Sequence, residues 1–236
     1  MSVDKSGKNV RQMFGEIAAR YDLLNHLLSL NVDRWWRWRT VRRVPPEGDA
    51  PILDLCTGTA DLALAYCRAS GARTTVVGAD FCHPMLVVGR EKIARARAAD
   101  RLLLVEADVQ FLPFRDNLFQ ITSIAFGLRN VADADRALHE MVRVLRPGGR
   151  AAILEFSMPT FAPLRAIYGL YFRRVLPRLG QWLARNRQGA YNYLPASVAE
   201  FDSGEALARR IRAAGFAQVH YQPLSFGIGT LYVGTK

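Results

Sequence analysis

A small-residue turn at the end of one apolar run, with an acid at the end of the next, is the pairing in this sequence best suited to holding a ligand. The run Ile52-Leu53-Asp54-Leu55 leads into Cys56-Thr57-Gly58-Thr59-Ala60-Asp61, and the following run closes on Asp80. A strand that passes through such a turn into a helix leaves backbone N–H groups free and lets a ligand approach closely. An acid one strand away can accept hydrogen bonds from hydroxyls. Together they describe a nucleoside pocket. Thr57, Thr59 and Ala60 stand where the dinucleotide loop G-x-G-x-x-G would carry flexible residues, which disfavours a pyrophosphate cradle. The favoured ligand is S-adenosylmethionine, a nucleoside without phosphates, whose ribose diol suits Asp80 and whose amino-acid end suits the amides around Gly58. Thr59 can bond that amino-acid end or cap the following helix, and Asp80 can instead cap the helix that begins near Pro84. Asp54, inside the first strand, is expected to order the loop.

The surrounding pattern supplies the elements such a pocket needs. Phe14, Ile17, Ala18, Tyr21, Leu24, Leu27 and Leu28 recur at helical intervals, so residues 1–46 read as an N-terminal helical segment stopped by Pro45-Pro46. Apolar runs at Ile52 to Leu55, Thr75 to Ala79, Leu102 to Glu106, Ile121 to Phe126 and Ala151 to Phe156 alternate with helical stretches near 61–70, 84–98 and 133–146. That alternation predicts an α/β fold with a mostly parallel sheet wrapped by helices. Arg146-Pro147-Gly148-Gly149 reads as a connection from helix to strand. Residues 157–200 break the rhythm and read as a helical insertion over the pocket, with proline-marked corners at Pro177 and Pro195. Gly204 to Gly215 reads as a helix, and Val219 to Leu224 with Gly229 to Val233 as a closing strand pair.

Composition limits the alternatives. At 236 residues, half of them hydrophobic, the chain is expected to form one domain, 1–236, with a sizeable core. No export signal and no membrane-spanning run are read, so residence in the cytoplasm is expected. Cys56, Cys67 and Cys82 lack paired spacing, and His26, His83, His139 and His220 form no cluster, so no metal site is expected. The net charge of +11 is concentrated beside aromatics, as in Arg34-Trp35-Trp36-Arg37-Trp38-Arg39 and between Tyr168 and Arg187. Basic and aromatic surface together suit a bilayer interface, although RNA bases can stack on the same mixture. No motif for methylating nucleic-acid bases is present, so nucleic acid is not expected as a partner.

Further signatures run the length of the chain: Met13-Phe14, Ile17-Ala18, Tyr21-Asp22, Asn25 and Ser29; Phe126-Gly127-Leu128-Arg129-Asn130; Val144 to Gly149; Leu154-Glu155-Phe156-Ser157; and Tyr191-Asn192-Tyr193-Leu194. In these the sequence resembles the ubiquinone/menaquinone C-methyltransferase family, a class I S-adenosylmethionine-dependent group with a Rossmann-like, seven-stranded sheet and helices on both faces. The Gly58-Thr59-Ala60-Asp61 version of the loop resembles the menaquinone branch. Two departures stand out: Ala125 replaces a serine frequent before Phe-Gly-Leu-Arg-Asn, and a histidine usual near the C-terminus is missing from Gly229 to Gly234. They keep open a silent cofactor-binding scaffold.

The resemblance implies methyl transfer to a ring carbon of demethylmenaquinol, with ubiquinone methylation as the alternative. It implies cofactor contacts at Gly58, Thr59, Asp80, Asp108 and Val109, Asp108 having a turn-forming role as its alternative. Arg129 is the leading catalytic candidate, through its charge and not as a base, with Asn130 and Asp33 as further catalytic candidates and Tyr21, Asn25 and Tyr193 for the acceptor side. Tying strand ends together is the competing role for Arg129 and Asn130, and a structural hydrogen bond is the competing role for Asp33, Tyr21, Asn25 and Tyr193. The expected partners are an isoprenoid quinol and an anionic membrane, met peripherally at the inner face of the cytoplasmic membrane. Whether the chain forms a homodimer is left open.

Overall fold

A computed structural model of the chain describes residues 7–29, 31–159, 161–170 and 190–236. The N-terminal segment is helical, as the apolar spacing predicts, but is cut into α1 (Gly7–Ile17), α2 (Tyr21–Leu28) and α3 (Val32–Arg43). Asn31, with φ of 62°, makes the left-handed turn that separates the last two. Strands and helices then alternate: β1 (Ile52–Leu55), α4 (Asp61–Ala69), β2 (Val76–Asp80), α5 (His83–Arg95), β3 (Leu102–Glu106), β4 (Phe119–Ala125), α6 (Ala134–Val144) and β5 (Leu145–Phe156). They are followed by α7 (Ala162–Leu170), α8 (Ala190–Glu200), α9 (Glu205–Ala213), β6 (Gln218–Leu224) and β7 (Gly229–Thr235).

One sheet of seven strands results, in the order β3-β2-β1-β4-β5-β7-β6. Strands β1 to β5 pair in parallel, and β7 joins β5 and β6 antiparallel. Both faces are covered, which is why β1 reads as continuous apolar sequence broken only by Asp54. Leu53 and Leu55 pack with α6 and α9, whereas Ile52 packs with α4, Ile93 of α5 and Val41 of α3. Helix α6 shows how the sequence specifies an element. Ala134, Ala137, Leu138, Met141 and Val144 are buried at intervals of three and four, and the Asp133 carboxylate accepts the Arg136 N–H at 2.9 Å as the N-cap. Full burial of a side chain such as Met141 contributes roughly 1.5–3 kcal/mol.

Three expectations are corrected or limited. Residues 146–149 are not a free connection: Leu145 already pairs with Phe119, and Arg150 with Ile121, so these residues arch out of a strand in progress. The C-terminus holds the arch, Gly148 N–H donating to the Lys236 carbonyl and Lys236 N–H to the Gly149 carbonyl, each at 3.0 Å. Pro195 is not a corner but lies inside α8. Its missing N–H costs about 3 kcal/mol in an open helix, and burial of Ser197 and Val198 just beyond it offsets that cost. Pro177, and most of the basic stretch from Tyr168 to Arg187, lie outside the described residues.

Candidate active site

The carboxyl ends of β1, β2, β3 and β4 share one cavity. Leu55, Cys56 and Gly58 follow β1; Ala79 to Cys82 end β2; Ala107 to Gln110 follow β3; and Ala125 to Gly127 with Asn130 to Ala132 follow β4. Gly7, Val10 and Phe14 of α1 and Tyr21 of α2 close it from outside. It lies where strand order reverses between β1 and β4, the crevice in which open α/β sheets hold ligands.

Two buried aspartates shape the β1 and β2 ends. Asp80 Oδ2 accepts the Gly58 N–H and Oδ1 the Cys82 N–H, each at 2.8 Å. Each oxygen keeps acceptor capacity for a further donor, as a vicinal diol requires. Burial pushes the Asp80 carboxyl above its ordinary value, and the N–H groups of Cys82 and Gly58 pull it back. Asp80 does not cap α5 with its side chain; Cys82 is that helix's N-cap residue. Asp54 orders the loop: it accepts Thr57 Oγ1 at 2.7 Å and Ser123 Oγ at 2.6 Å from the neighbouring strand. Burial pushes Asp54 up to about 6 despite those donors.

The turn after β4 shows why its residue types follow one another. Phe126 is left-handed, with φ of 59°, and its N–H is held by the Leu154 carbonyl. A Cβ on Gly127 would lie 2.4 Å from Cβ of Cys56, so only glycine fits between the two strand ends. Leu128 is fully buried in the core. Arg129 turns away from the cavity: Nη1 donates to the Phe126 carbonyl and, at 2.6 Å, to Glu155 of β5, and the guanidinium stacks on Phe156. Asn130 donates to the Phe126 carbonyl at 3.2 Å and lines the cavity. The buried Nε of Arg129 and Oδ1 of Asn130 find no protein partner among the described residues, leaving one donor and one acceptor for a ligand or water.

The N-terminal helices bring a second polar cluster. Tyr21 lines the cavity; burial raises its hydroxyl above the ordinary value, while the hydrogen bond with Asn25 and the charges of Arg37 and Arg129 oppose that rise. Asp33 does not reach the cavity. Its carboxylate is taken by Ser29 Oγ at 2.6 Å, His26 Nδ1 at 2.9 Å and Arg37. Burial alone would raise Asp33, but Ser29 and Arg37 hold it below its usual value. Thr59 also stands off the cavity wall: Oγ1 donates to Asp22 at 2.5 Å and accepts from Lys92 Nζ at 3.0 Å. Lys92 further bonds Asp22 at 2.6 Å and pairs with Asp61, which faces Arg37 at 3.8 Å. Thr59 therefore fastens α2 to the loop instead of capping α4, whose N-cap is Ala60.

Of the sequence candidates, Gly58, Asp80, Asp108, Val109, Asn130 and Tyr21 line one cavity, and Thr59, Asn25, Asp33, Arg129 and Tyr193 do not. Asp108 also makes the turn that was its alternative role, accepting the Gln110 N–H at 2.9 Å. Tyr193 lies on α8, which packs against residues 128–130. Sequence reasoning missed Val10 and Phe14 as cavity wall, Glu155 as the partner of Arg129, and the links among Asp22, Arg37, Asp61 and Lys92. The helical spacing that begins at Phe14 signalled a helix face without saying what it covers. Ala125 lines the cavity with no hydroxyl, and Cys56 and Cys82 are wall thiols raised by burial.

The spare acceptor capacity of Asp80 at the cavity wall fits the ribose diol of a nucleoside. Sheet order and cleft together define an S-adenosylmethionine-dependent methyltransferase. Solved structures agree on the fold: a SAM-dependent methyltransferase from Thermotoga maritima superposes with TM-score 0.66 at 18% identity, covering 96% of this chain and 99% of that one. A second, from Aquifex aeolicus, gives 0.59 at 14% identity over 84% and 88%. Sequence comparison is more specific. The chain belongs to the ubiE/COQ5 methyltransferase family, whose profile matches residues 1–236. It is 49% identical to a Thermus thermophilus protein named demethylmenaquinone methyltransferase, over 95% of this chain and 100% of that one. It is 43% identical to a Geobacter protein named ubiquinone/menaquinone biosynthesis C-methyltransferase, over 100% and 99%.

Proposed function

We propose that this chain methylates a ring carbon of demethylmenaquinol, producing menaquinol and S-adenosylhomocysteine. The whole-chain family match carries the reading, and the Thermus relative bears the name of that activity. C-methylation in ubiquinone synthesis is the second reading, favoured by the name of the Geobacter relative. When bound, S-adenosylmethionine supplies a methyl group already activated on a sulfonium. Asp80 holds the ribose hydroxyls, the Gly58 loop takes the amino-acid end with Thr59 fixing its shape, and Asp108 with Val109 borders the base.

Ring carbon is a weak nucleophile until a neighbouring hydroxyl gives its proton to solvent. The methyl group then leaves the sulfonium for that carbon, the carbon's own hydrogen departs as a proton to solvent, and the ring oxygen is reprotonated. Asn130 Oδ1, unpartnered on the wall, accepts from the ring hydroxyl and sets its direction. The Tyr21 hydroxyl, kept protonated by burial, donates to the oxygen as charge builds on it. Arg129 and Arg37, whose charges reach Tyr21, favour the phenolate from behind the wall, and Asp33 positions Arg37. Alignment and exclusion of water account for roughly 7–11 kcal/mol in well-oriented reactions of this kind. Tyr193, on α8 against residues 128–130, borders the quinol side of a single domain. Because the isoprenoid tail lies in lipid, the chain works in the cytoplasm against the inner face of the cytoplasmic membrane.

The test offers purified protein and methyl-labelled cofactor three acceptors: reduced demethylmenaquinone, a reduced ubiquinone precursor, and bulk RNA. Label is expected in the naphthoquinol. Label in RNA alone would refute the reading, and cofactor binding without transfer to any acceptor would leave a silent scaffold in its place.

A further inference from the structure

The outward face of α3 and the turn between β6 and β7, joined through Trp36 and Ser225, both carry exposed aromatic rings. Asp33, Trp36, Thr40 and Val41 point inward, which leaves Arg34, Trp35, Trp38, Arg42 and Arg43 exposed. Trp35 and Trp38 are 46% and 48% exposed, and the Arg42 guanidinium lies 5.1 Å from the Trp38 ring centre. Arg34, Arg39, Arg42 and Arg43 pair with no acid among the described residues, and the one acid of α3, Asp33, is consumed inside.

Next to α3, where Trp36 reaches it, a turn holds an apolar ring in water. Ser225 and Phe226 both have left-handed backbones, with φ of 47° and 59°, and Phe226 is 83% exposed. Two strained residues in succession persist only where their surroundings over-determine them. Here Trp36 Nε1 donates to Ser225 Oγ at 3.0 Å, Ser157 Oγ donates to the Gly227 carbonyl at 2.8 Å, and Ser157 N–H bonds the Ile228 carbonyl at 2.9 Å. Phe161, 65% exposed, follows four residues after Ser157. The clamp also touches the cavity: the Trp36 ring stands 5.8 Å from Phe126, which lines it, and 5.9 Å from Phe156.

We infer that Trp35, Trp38 and Phe226, flanked by the arginines of α3, dock the chain on an anionic bilayer beside the acceptor end of its cavity. The inference rests on the proposed quinol acceptor, which must be reached in lipid. Its physical basis is separate. Indole and phenyl rings settle among headgroups, guanidinium groups meet anionic lipid, and a protruding ring enters a soft surface where a flat protein partner would meet a bump. Each arginine near such a surface strengthens binding roughly fivefold, through a contribution of about 1 kcal/mol.

Sedimentation of the full chain with quinone-free vesicles tests it, comparing phosphatidylglycerol mixed into phosphatidylcholine with phosphatidylcholine alone. Wild type is expected to bind the anionic vesicles at least tenfold more tightly. Arg34→Gln with Arg42→Gln should remove most of that preference, and Trp35→Ser with Phe226→Ser should weaken binding tenfold or more. Both pairs should retain wild-type turnover on a short-tailed quinol in solution, which shows that the variants fold and tests the acceptor assignment on its own. Equal binding to both vesicle types, variants that bind like wild type, or retention on RNA in place of vesicles would overturn the inference. So would a dimer that Trp35→Ser with Phe226→Ser splits without loss of vesicle binding, because a second copy would then be the occupant.

Discussion

Asp80 can be read from sequence because one carboxylate at a strand end serves two purposes: it clamps the Gly58 and Cys82 amides and keeps acceptor capacity for the proposed diol. Asp80→Ala should weaken S-adenosylhomocysteine at least tenfold by calorimetry, since hydrogen bonds to charged groups contribute about 1.5–3 kcal/mol each; unchanged affinity would remove Asp80 from the site. Arg129 was legible as a residue that matters but not in what it touches, because Glu155 lies on a different strand and no local spacing links the two. Arg129→Ala leaves a buried carboxylate alone, an expected loss of about 3–5 kcal/mol, or about 6–20 °C in Tm. Arg129→Met with Glu155→Leu should recover most of the stability and little of the turnover. Full turnover in the double variant would make the pair structural only. Asp54 gives a pH signature. Its folded value of about 6 lies above the ordinary 3.8, so its contribution to stability is complete below about 3.8 and is lost as pH rises through 6. Between about pH 4.5 and 7.5, wild type should lose about 2 kcal/mol relative to Asp54→Asn in chemical unfolding, the window set by the two values. A difference independent of pH would show that Asp54 titrates normally.

Among the elements, the strands and the helices between them were legible because buried parallel strands leave short apolar runs and α6 leaves its three- and four-residue spacing. What one period cannot reveal is which surface a helix covers. Residues from α1 and α2 proved to close the cavity, and the bonds of Asp22 to Thr59 and Lys92 fasten α2 over the cofactor loop. Lys92→Met should release that fastening, raising the cofactor off-rate about fivefold in stopped-flow measurements, as expected for an ion pair of about 1 kcal/mol in partial solvent. An unchanged off-rate would mean that α2 is held by packing alone. Pro195 misled for a related reason: proline argues against a helix interior only until tertiary burial outweighs it.

For the whole molecule, a charge of +11 does not specify a fold but does bias where the chain spends its time. Raising ionic strength from about 0.05 to 0.5 M shortens the screening length severalfold. Turnover on vesicle-embedded quinol should therefore fall steeply with salt while turnover on a short-tailed quinol in solution stays level. Parallel declines would show that salt acts on the catalytic centre and not on encounter with lipid. The cavity itself draws on segments from Gly7 to Ala132, and β4, inserted between β1 and β5, completes it. A contiguous fragment short of that span is expected to hold no nucleoside, so that ligand affinity follows assembly of the sheet. During synthesis the nascent polypeptide stays blind to its cofactor until the fourth strand has docked, and a bound ligand must slow global unfolding as well as local fraying.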